Sequence, residues 1–325
     1  MPTPTTPFYP MTHDDALALI AALQTLEPGL VTTSQAGKLA PNAEAIEDGF
    51  IKLATSLNIG LMSKAFAAML ENPETIVFTE GKVLTQNAGF HNSIYRGKYL
   101  GDSVTADQYA AISAGTFDGL FVGDYWTING VNWRIAGFDY WLNTGDGDRC
   151  QTHHVVIVPD TCIASGVKMN NSNVTTGAYI GSDFYTGNNS NTGRATAQAA
   201  VKTAFGNAHI LSHREYLMNA VTNGYESGQS IYDVEIELMN ELMVYGSNIF
   251  HNVINGTNLP SNYTMSKSQL PLFRHRHDLI GIGAYWWLRD VVSSPNFALV
   301  SSVGYANYSG ASYAFGIRPA FAIKA

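Results

Sequence analysis

The spacing of apolar residues divides the chain into a helical N-terminal part and a longer part in which strands alternate with helices. Residues 2–10 contain four prolines, which predicts an extended arm. After Thr12, and again over residues 42–70, apolar positions recur at three- and four-residue steps, which predicts two helices. We therefore predict an N-terminal region, residues 1–75, that either oligomerises or anchors the chain or forms a plain helical subdomain.

From residue 76 onward, short apolar runs alternate with turns rich in Gly, Asn and Asp, which predicts an irregular α+β domain over residues 76–325. Asn129-Gly130, between the runs YWTI and VNWRI, is typical of a tight β-hairpin. Ser212 and Glu215 have the spacing of a capping box at a helix start. The predicted strands are residues 75–78, 125–128, 131–136, 153–158 and 316–323. The predicted helices are residues 106–114, 196–205, 212–222 and 232–245, and the predicted insertions are residues 168–194 and 245–269.

Composition and charge exclude several classes of protein. The chain is 46% hydrophobic and only 14% charged, whereas a disordered chain has low hydrophobicity and high charge. Lys+Arg 18 against Asp+Glu 26 gives a net charge of −8 without a basic stripe, so we expect no nucleic-acid partner. No apolar run reaches the roughly 18 residues of a membrane span, and the N-terminus lacks the regions of a signal peptide. We therefore expect a protein made in the cytoplasm, with no membrane insertion.

The sequence offers too few candidate ligands to form a metal site. His153 and His154 are adjacent at the start of a predicted strand, so their rings are expected on opposite faces. His275 and His277 in FRHRHD are expected on one side of a strand, but a zinc site needs three or four protein ligands. Residues 146 and 148, both Asp, resemble half of a calcium loop without its final Glu, so we interpret them as a turn. We expect no metal.

Motifs for catalysis are also missing. The chain has no GxSxG, HExxH, P-loop or GxGxxG after a strand, so we expect no enzyme, no catalytic residue and no cofactor. Its two cysteines, Cys150 and Cys162, are expected to be free thiols rather than a bridge, because disulfides are rare in cytoplasmic proteins.

The last forty residues carry the strongest functional signal. They begin with the cluster Trp286-Trp287-Leu288-Arg289 and end with the run GIRPAF, both of which are typical of core strands with large side chains. Between them lies a stretch of Ser, Asn, Tyr, Gly, Ala and Val. Tyr and Asn give a binding surface broad contact area and adaptable hydrogen bonds at low entropic cost. The pattern predicts a binding surface between two buried strands.

A WWLR segment followed about thirty residues later by a GIRPAF strand resembles the C-type lectin-like domain of the formylglycine-generating-enzyme type. More closely, it resembles the variable proteins of diversity-generating retroelements, which include phage tropism determinants. The resemblance is specific over residues 286–321, looser over residues 123–141, and does not cover residues 1–90. The catalytic cysteines of the formylglycine-generating enzymes have no match here, which argues against that enzymatic branch.

The resemblance implies a C-type lectin-like domain, phage- or prophage-encoded, whose C-terminal face is diversified and binds a ligand at the virion surface. Its expected partners are a host cell-surface receptor, protein or glycan, and other virion proteins, with the chain as a homo-oligomer, a trimer by expectation. The alternatives are a structural capsid decoration or fibre protein and, third, a formylglycine-generating-type enzyme. The expected ligand-binding residues are Asn296, Phe297, Ser301, Ser302, Tyr305, Asn307, Tyr308, Ser312 and Tyr313. The expected scaffold residues are Trp286, Trp287, Arg289 and Arg318.

Two further expectations concern this stretch. Trp287 and Arg318 are expected to be buried, and a buried arginine is expected to hold loops by hydrogen bonds to their carbonyls. Randomised adenines in an AAC or AAT codon never yield Lys, Glu, Gln, Met or Trp, and none of these occurs from Asp290 to Phe315. That composition is compatible with diversification, and the alternative is a loop that is simply uncharged.

Overall fold

The computed structural model describes residues 87–145, 149–251 and 268–325. The predicted proline arm, the two N-terminal helices, the strand at 75–78, the turn at 146 and 148 and most of the 245–269 insertion lie outside the described residues. The chain divides into two compact units, Met1–Leu84 and Thr85–Ala325, and the second contains all the described residues.

The second unit is a mixed α+β structure. Its helices within the described residues are α1 (Ala88–Asn92), α2 (Ala106–Ala114), α3 (Asp183–Thr186), α4 (Gly193–Phe205), α5 (Glu241–Tyr245) and α6 (Pro271–His275), with 3-10 turns at Asn188–Ser190, Asn207–His209 and His277–Leu279. The first strands are β1 (Tyr125–Ile128), β2 (Val131–Phe138), β3 (Val155–Pro159), β4 (Ala164–Val167), β5 (His213–Thr222) and β6 (Tyr225–Val234). The remaining strands are β7 (Ile236–Leu238), β8 (Trp286–Ser293), β9 (Asn296–Val300), β10 (Ala306–Gly310), β11 (Phe315–Ile317) and β12 (Pro319–Ile323). Within the described residues, none of the helices is long and apolar enough to cross a membrane.

Within the part of the chain that the structure describes, the strands form two five-stranded sheets and a separate hairpin. The first sheet has the order β1-β2-β3-β12-β7, and the second has the order β10-β9-β8-β11-β4. The strand pairs are antiparallel except β8 with β11, which run parallel at Trp286 and Gly316. In the second sheet, β10 and β4 are therefore the two edge strands.

The inner strands β8 and β9 of the second sheet are buried on both faces along most of their length. Successive side chains on a strand point to opposite faces, so neighbouring residues enter different parts of the core. Trp286 packs in a cluster that includes the first sheet, and Trp287 packs in a second cluster with Phe297 and Leu299. The double tryptophan of the sequence therefore joins two hydrophobic clusters through one strand.

The predicted final strand, residues 316–323, is two strands. β11 belongs to the second sheet and β12 to the first, where β12 lies between β3 and β7. The chain changes sheets at Arg318, whose side chain is almost wholly buried. The sequence showed one continuous apolar run because both strands are internal to their sheets.

Two helix predictions were wrong. Residues 212–222 contain strand β5, and residues 232–245 contain the end of β6, then β7 and the short helix α5. β5 and β6 form a hairpin around Asn223 and Gly224, which have φ angles of 55° and 83°. Such left-handed pairs are the preferred turn of a tight hairpin, and Asn-Gly is its usual sequence. Glu215 pairs with a buried arginine of β8 instead of capping a helix.

Other local predictions were confirmed. β1 has the predicted bounds, and β2 and β3 overlap their predicted ranges. Helix α2 has the predicted bounds, and its N-cap Thr105 forms a capping box with Gln108. Helix α4 begins three residues earlier than predicted, and the 168–194 insertion contains α3 and a 3-10 turn. The prediction of a strand that carries His275 and His277 was wrong, because these residues lie in α6 and in the 3-10 turn after it.

Replacing Trp287 with Ala is expected to lower the free energy of unfolding by about 3–5 kcal/mol, as for other aromatic truncations in cores. Trp287 is fully buried, its indole donates to the Val167 carbonyl at 2.8 Å, and its ring packs edge-on against Phe315 at 5.0 Å. Denaturant unfolding measures the change. Tyr225→Ala, at an exposed tyrosine of the β5–β6 hairpin, is the control and is expected to change stability by less than about 0.5 kcal/mol. Equal effects of the two variants would contradict the assignment of Trp287 to the core.

Candidate ligand-binding surface

Exposed apolar side chains concentrate in the predicted binding stretch. Of the nine large hydrophobic side chains exposed within the described residues, four lie between residues 303 and 313. They are Tyr305 (74% exposed), Val303 (69%), Tyr313 (59%) and Tyr308 (47%). We call these four residues, with the exposed Asn307 among them, the tyrosine face. No charged residue occurs from Val291 to Ile317, so this surface is polar and aromatic but carries no formal charge.

The turn that carries Val303 and Tyr305 is closed by its own hydrogen bonds. The Ser301 amide donates to the Tyr305 carbonyl at 2.8 Å, and the Tyr305 amide donates to the Ser301 hydroxyl at 2.9 Å. The Gly304 amide donates to the Ser301 carbonyl at 3.0 Å, and the Tyr245 hydroxyl donates to the Gly304 carbonyl at 3.2 Å. The buried Ser301 therefore holds the turn from inside, while Tyr305 extends outward.

A glycine segment before β8 supports the same turn from behind. The Gly283 amide donates to the Ser302 carbonyl at 2.9 Å. A methyl group at Gly281 would lie 2.6 Å from the Val303 carbonyl carbon, closer than any backbone tolerates. Only glycine lets these two backbones approach, so Gly281 determines where the turn lies.

Tyr308 lies on the edge strand β10. This strand pairs with the buried strand β9, with Tyr308 opposite Ala298. The Tyr308 amide donates to the Asn307 side-chain oxygen at 2.8 Å. The Tyr308 ring meets Phe250 edge to face, with 5.1 Å between ring centroids. The strand pairing and the ring contact together fix Tyr308 on both sides.

Tyr313 is fixed by contacts with the 168–194 insertion. The Asn173 side-chain oxygen accepts from the Ser312 amide at 3.0 Å and from the Ser312 hydroxyl at 2.7 Å. The amides of residues 169 and 170 both donate to the Ala311 carbonyl at 2.9 Å. The Tyr313 amide donates to the Gly310 carbonyl at 3.0 Å. The backbone under Tyr313 is therefore tied to a segment more than a hundred residues away in sequence.

Two predicted contact residues are corrected. Phe297 is 0% exposed and Ser301 is 5% exposed, so neither side chain reaches the surface. Phe297 packs in the cluster of Trp287, because β9 is an inner strand whose consecutive residues are buried on both faces of the sheet. Asn296 is half-buried and donates to the Ser293 hydroxyl at 2.9 Å across the β8–β9 turn. The predicted residues that the structure brings to the surface are Ser302, Tyr305, Asn307, Tyr308, Ser312 and Tyr313, with Ser302 and Ser312 half-buried.

The four predicted scaffold residues, Trp286, Trp287, Arg289 and Arg318, are all buried. The Arg318 guanidinium donates to the carbonyls of Pro159 at 2.8 Å and Leu279 at 2.9 Å, as expected for an arginine that holds loops. Burial lowers the pKa of Arg318 to about 10, which leaves it charged at neutral pH.

Arg289 is a second buried arginine that connects separate strands. It forms an ion pair with Glu215 of β5 and donates to the Leu238 carbonyl at 3.3 Å. Burial opposes its charge, but the neighbouring Glu215 raises the pKa of Arg289 above its ordinary value. The β5–β6 hairpin is therefore attached to the second sheet by a buried ion pair.

The other candidate groups are dispersed. Within the described ranges, no three His, Cys, Asp or Glu side chains are placed to hold a metal ion. Cys150 and Cys162 are free thiols, and burial raises the pKa of each. His153 contacts Asp139 at 2.7 Å, and His154 is buried and accepts from the Trp141 amide at 3.0 Å.

Sequence reasoning missed Phe250, Asn173 and Tyr245, which fix the tyrosine face from distant segments. Nothing local marks them, since each acts through a contact with residues far along the chain. Comparison of the chain with protein-family models, with curated proteins and with solved structures found no match. Any function must therefore be argued from this surface.

Replacing Gly281 with Ala is expected to displace the 301–305 turn and to cost about 1–3 kcal/mol of stability, because the added methyl overlaps the Val303 backbone. Hydrogen exchange measures the displacement, and the amides of Ser301, Gly304 and Tyr305 are expected to exchange faster. Ala284→Ser is the matched control, because it also adds one atom but at an exposed neighbour. Unchanged exchange in Gly281→Ala would show that the turn does not depend on this contact.

Proposed function

We propose that this chain is a ligand-binding protein of the virion surface, with residues 303–313 as its binding face and a host cell-surface receptor as its ligand. The observation that carries the proposal is the concentration of exposed aromatic side chains on a backbone that buried residues fix. Isolated exposed apolar residues are ordinary, but a cluster of them on one segment is typical of an interaction site.

The tyrosine face has the properties of a preorganised binding surface. Tyrosine offers large contact area with few rotatable bonds, and Asn and Ser beside it offer adaptable hydrogen bonds. The hydrogen bonds of Ser301, Gly283 and Asn173 fix the backbone before any ligand arrives. A fixed backbone reduces the entropy lost on binding, which improves affinity without further contacts.

The resemblance to variable proteins of diversity-generating retroelements supports the same function. The two motifs that carry it form buried strands, and the stretch between them contributes the exposed tyrosines. We propose that this unit is a C-type lectin-like domain with a diversified face. We propose that the chain is a trimer, in which several copies of the face raise the overall affinity by multivalency.

A structural decoration or fibre protein is the second candidate. It is favoured by the edge strand β10, which lies in the tyrosine face and offers backbone groups for pairing with another chain. In that case the tyrosines would contact neighbouring virion proteins, and the chain would not bind cells.

Replacing Tyr305, Tyr308 or Tyr313 with Ala, one at a time, is expected to weaken binding to cells about 30-fold or more. That corresponds to the roughly 2 kcal/mol that an aromatic anchor contributes to a complex. Stability is expected to change by less than about 0.5 kcal/mol, because the side chains are exposed. The measurement is retention of the fluorescently labelled full chain on a panel of bacterial strains, with thermal unfolding measured in parallel.

The Tyr225→Ala variant, at an exposed tyrosine of the β5–β6 hairpin, is the control and is expected to bind as the unaltered chain does. Retention of the unaltered chain by none of the strains would favour the structural protein. Large losses of stability in the three variants would show that the tyrosines belong to the core.

A further inference from the structure

Residues 246–251 lie beside the tyrosine face and extend it. The Phe250 ring contacts Tyr308, and its neighbour Ile249 is exposed. Residues 246–251 follow helix α5 directly and belong to no helix or strand. Their position beside Tyr308 therefore depends on side-chain contacts.

One buried carboxylate binds three successive amides of this segment. The Glu241 side chain, at the start of α5, accepts from the amides of Ile249 at 2.7 Å, Phe250 at 3.0 Å and His251 at 2.9 Å. Glu241 is fully buried. A carboxylate that receives three backbone amides fixes the local path of the chain.

His251 lies between two more buried carboxylates. Its Nδ1 is 3.1 Å from an Asp290 oxygen of β8, and its Nε2 is 3.3 Å from a Glu226 oxygen of β6. The second Asp290 oxygen accepts from the Glu241 amide at 2.6 Å, and the second Glu226 oxygen accepts from the Val291 amide at 2.9 Å. We call Glu226, Glu241, Asp290 and His251 the carboxylate clasp.

The surroundings of His251 favour its charged form. Its Nδ1 hydrogen-bonds to Asp290, and its Nε2 lies within ion-pair distance of a Glu226 oxygen that has no hydrogen-bond partner, so a proton on each nitrogen would face a carboxylate. The charged groups around His251 are Glu226 from β6, Asp290 from β8 and Glu241 from α5. Arg289 also acts on Glu226 and Asp290, and its guanidinium is paired with Glu215. His251 is the cation that belongs to the clasp itself, and it offsets part of the negative charge of the three carboxylates.

The titration of these groups follows from the same contacts. Burial lowers the pKa of His251, but Glu226 and Asp290 outweigh it and raise the pKa to about 9. Burial raises the pKa of Glu226 to about 7. Both pKa values lie above their unfolded values, so each group stabilises the fold at low pH. The contribution of His251 is complete below about pH 6.5 and is lost as the pH rises through about 9.

We propose that His251, as an imidazolium held between Glu226 and Asp290, positions Phe250 against Tyr308, and that loss of this proton releases residues 246–251 from the tyrosine face. Without the proton, three buried carboxylates face one another with no cation between them, which is strongly unfavourable. The consequence for a ligand rests on the proposed function, whereas the contact between the two rings does not.

The test places a single 4-fluorophenylalanine at position 250 of the full chain and follows its ¹⁹F resonance from pH 6 to 10.5. The chain carries Tyr308→Phe, which keeps a ring at position 308 but removes the phenol, so ionisation of Tyr308 cannot move the signal. The resonance is expected to shift with a midpoint near pH 9 towards its position in Tyr308→Ala, where the ring contact is absent. His251→Gln is expected to show that shifted resonance already at pH 7.

His277→Gln, at an exposed histidine of the 3-10 turn, is the matched control and is expected to leave the titration unchanged. Tryptophan fluorescence in the same samples reports whether the core stays folded. A resonance that stays constant to pH 10.5, or one that moves only together with global unfolding, would overturn the proposal. Since no ligand is present, a failure of cell binding leaves this result unaffected, and the two proposals fail separately.

Discussion

The buried guanidinium of Arg318 lies where the two sheets meet, and the position of the tyrosine face depends on it. The chain leaves the second sheet at β11 and enters the first at β12 with this single residue between them. A buried cation is tolerated only when its donors are satisfied, and Arg318 satisfies them with backbone carbonyls. Those carbonyls belong to Pro159 at the end of β3 and to Leu279 and Ile280 before β8. The arginine therefore holds the β11–β12 junction against two other segments of the chain.

The contacts of Arg318 continue to the surface through adjacent residues. Leu279 and Ile280 are followed by Gly281, whose backbone packs directly against the turn at Val303. Arg318 also lies over the Trp286 ring, with 5.2 Å from its guanidinium carbon to the ring centroid. Trp286 begins β8, and its neighbour Trp287 packs into the opposite cluster. Arg318 is thus connected to the tyrosine face through the short backbone segment from Leu279 to Gly281.

Local signals in the sequence predicted the elements that local interactions determine. The Asn129-Gly130 hairpin and the helix at residues 106–114 were confirmed, since the hairpin turn and the Thr105 cap of that helix act within a few residues. The β5–β6 hairpin was mistaken for a helix, although Asn223-Gly224 marks its turn. Its apolar positions fitted helical spacing, and only Arg289 explains why Glu215 belongs to a buried strand. Tertiary contacts overrode the local pattern there.

The candidate surface was predictable only in outline. The two bracketing motifs indicated buried strands with an exposed stretch between them, but part of that stretch is the inner strand β9, which buries Phe297. Phe250 and Asn173 lie 58 and 139 residues before Tyr308 and Ser312, respectively, and no short-range pattern connects residues at such distances. Their roles depend on the whole fold, as does the clasp around His251.

Site-specific photocrosslinking tests the proposal that a ligand contacts the tyrosine face. The full chain would carry p-benzoylphenylalanine at Tyr305 or, for comparison, at the exposed Tyr225 of the β5–β6 hairpin. After irradiation on a bacterial strain that retains the protein, we expect a covalent adduct with a cell-surface component from position 305 and none from position 225. An adduct from position 225 alone would place the ligand on the hairpin and rule out the tyrosine face as its site.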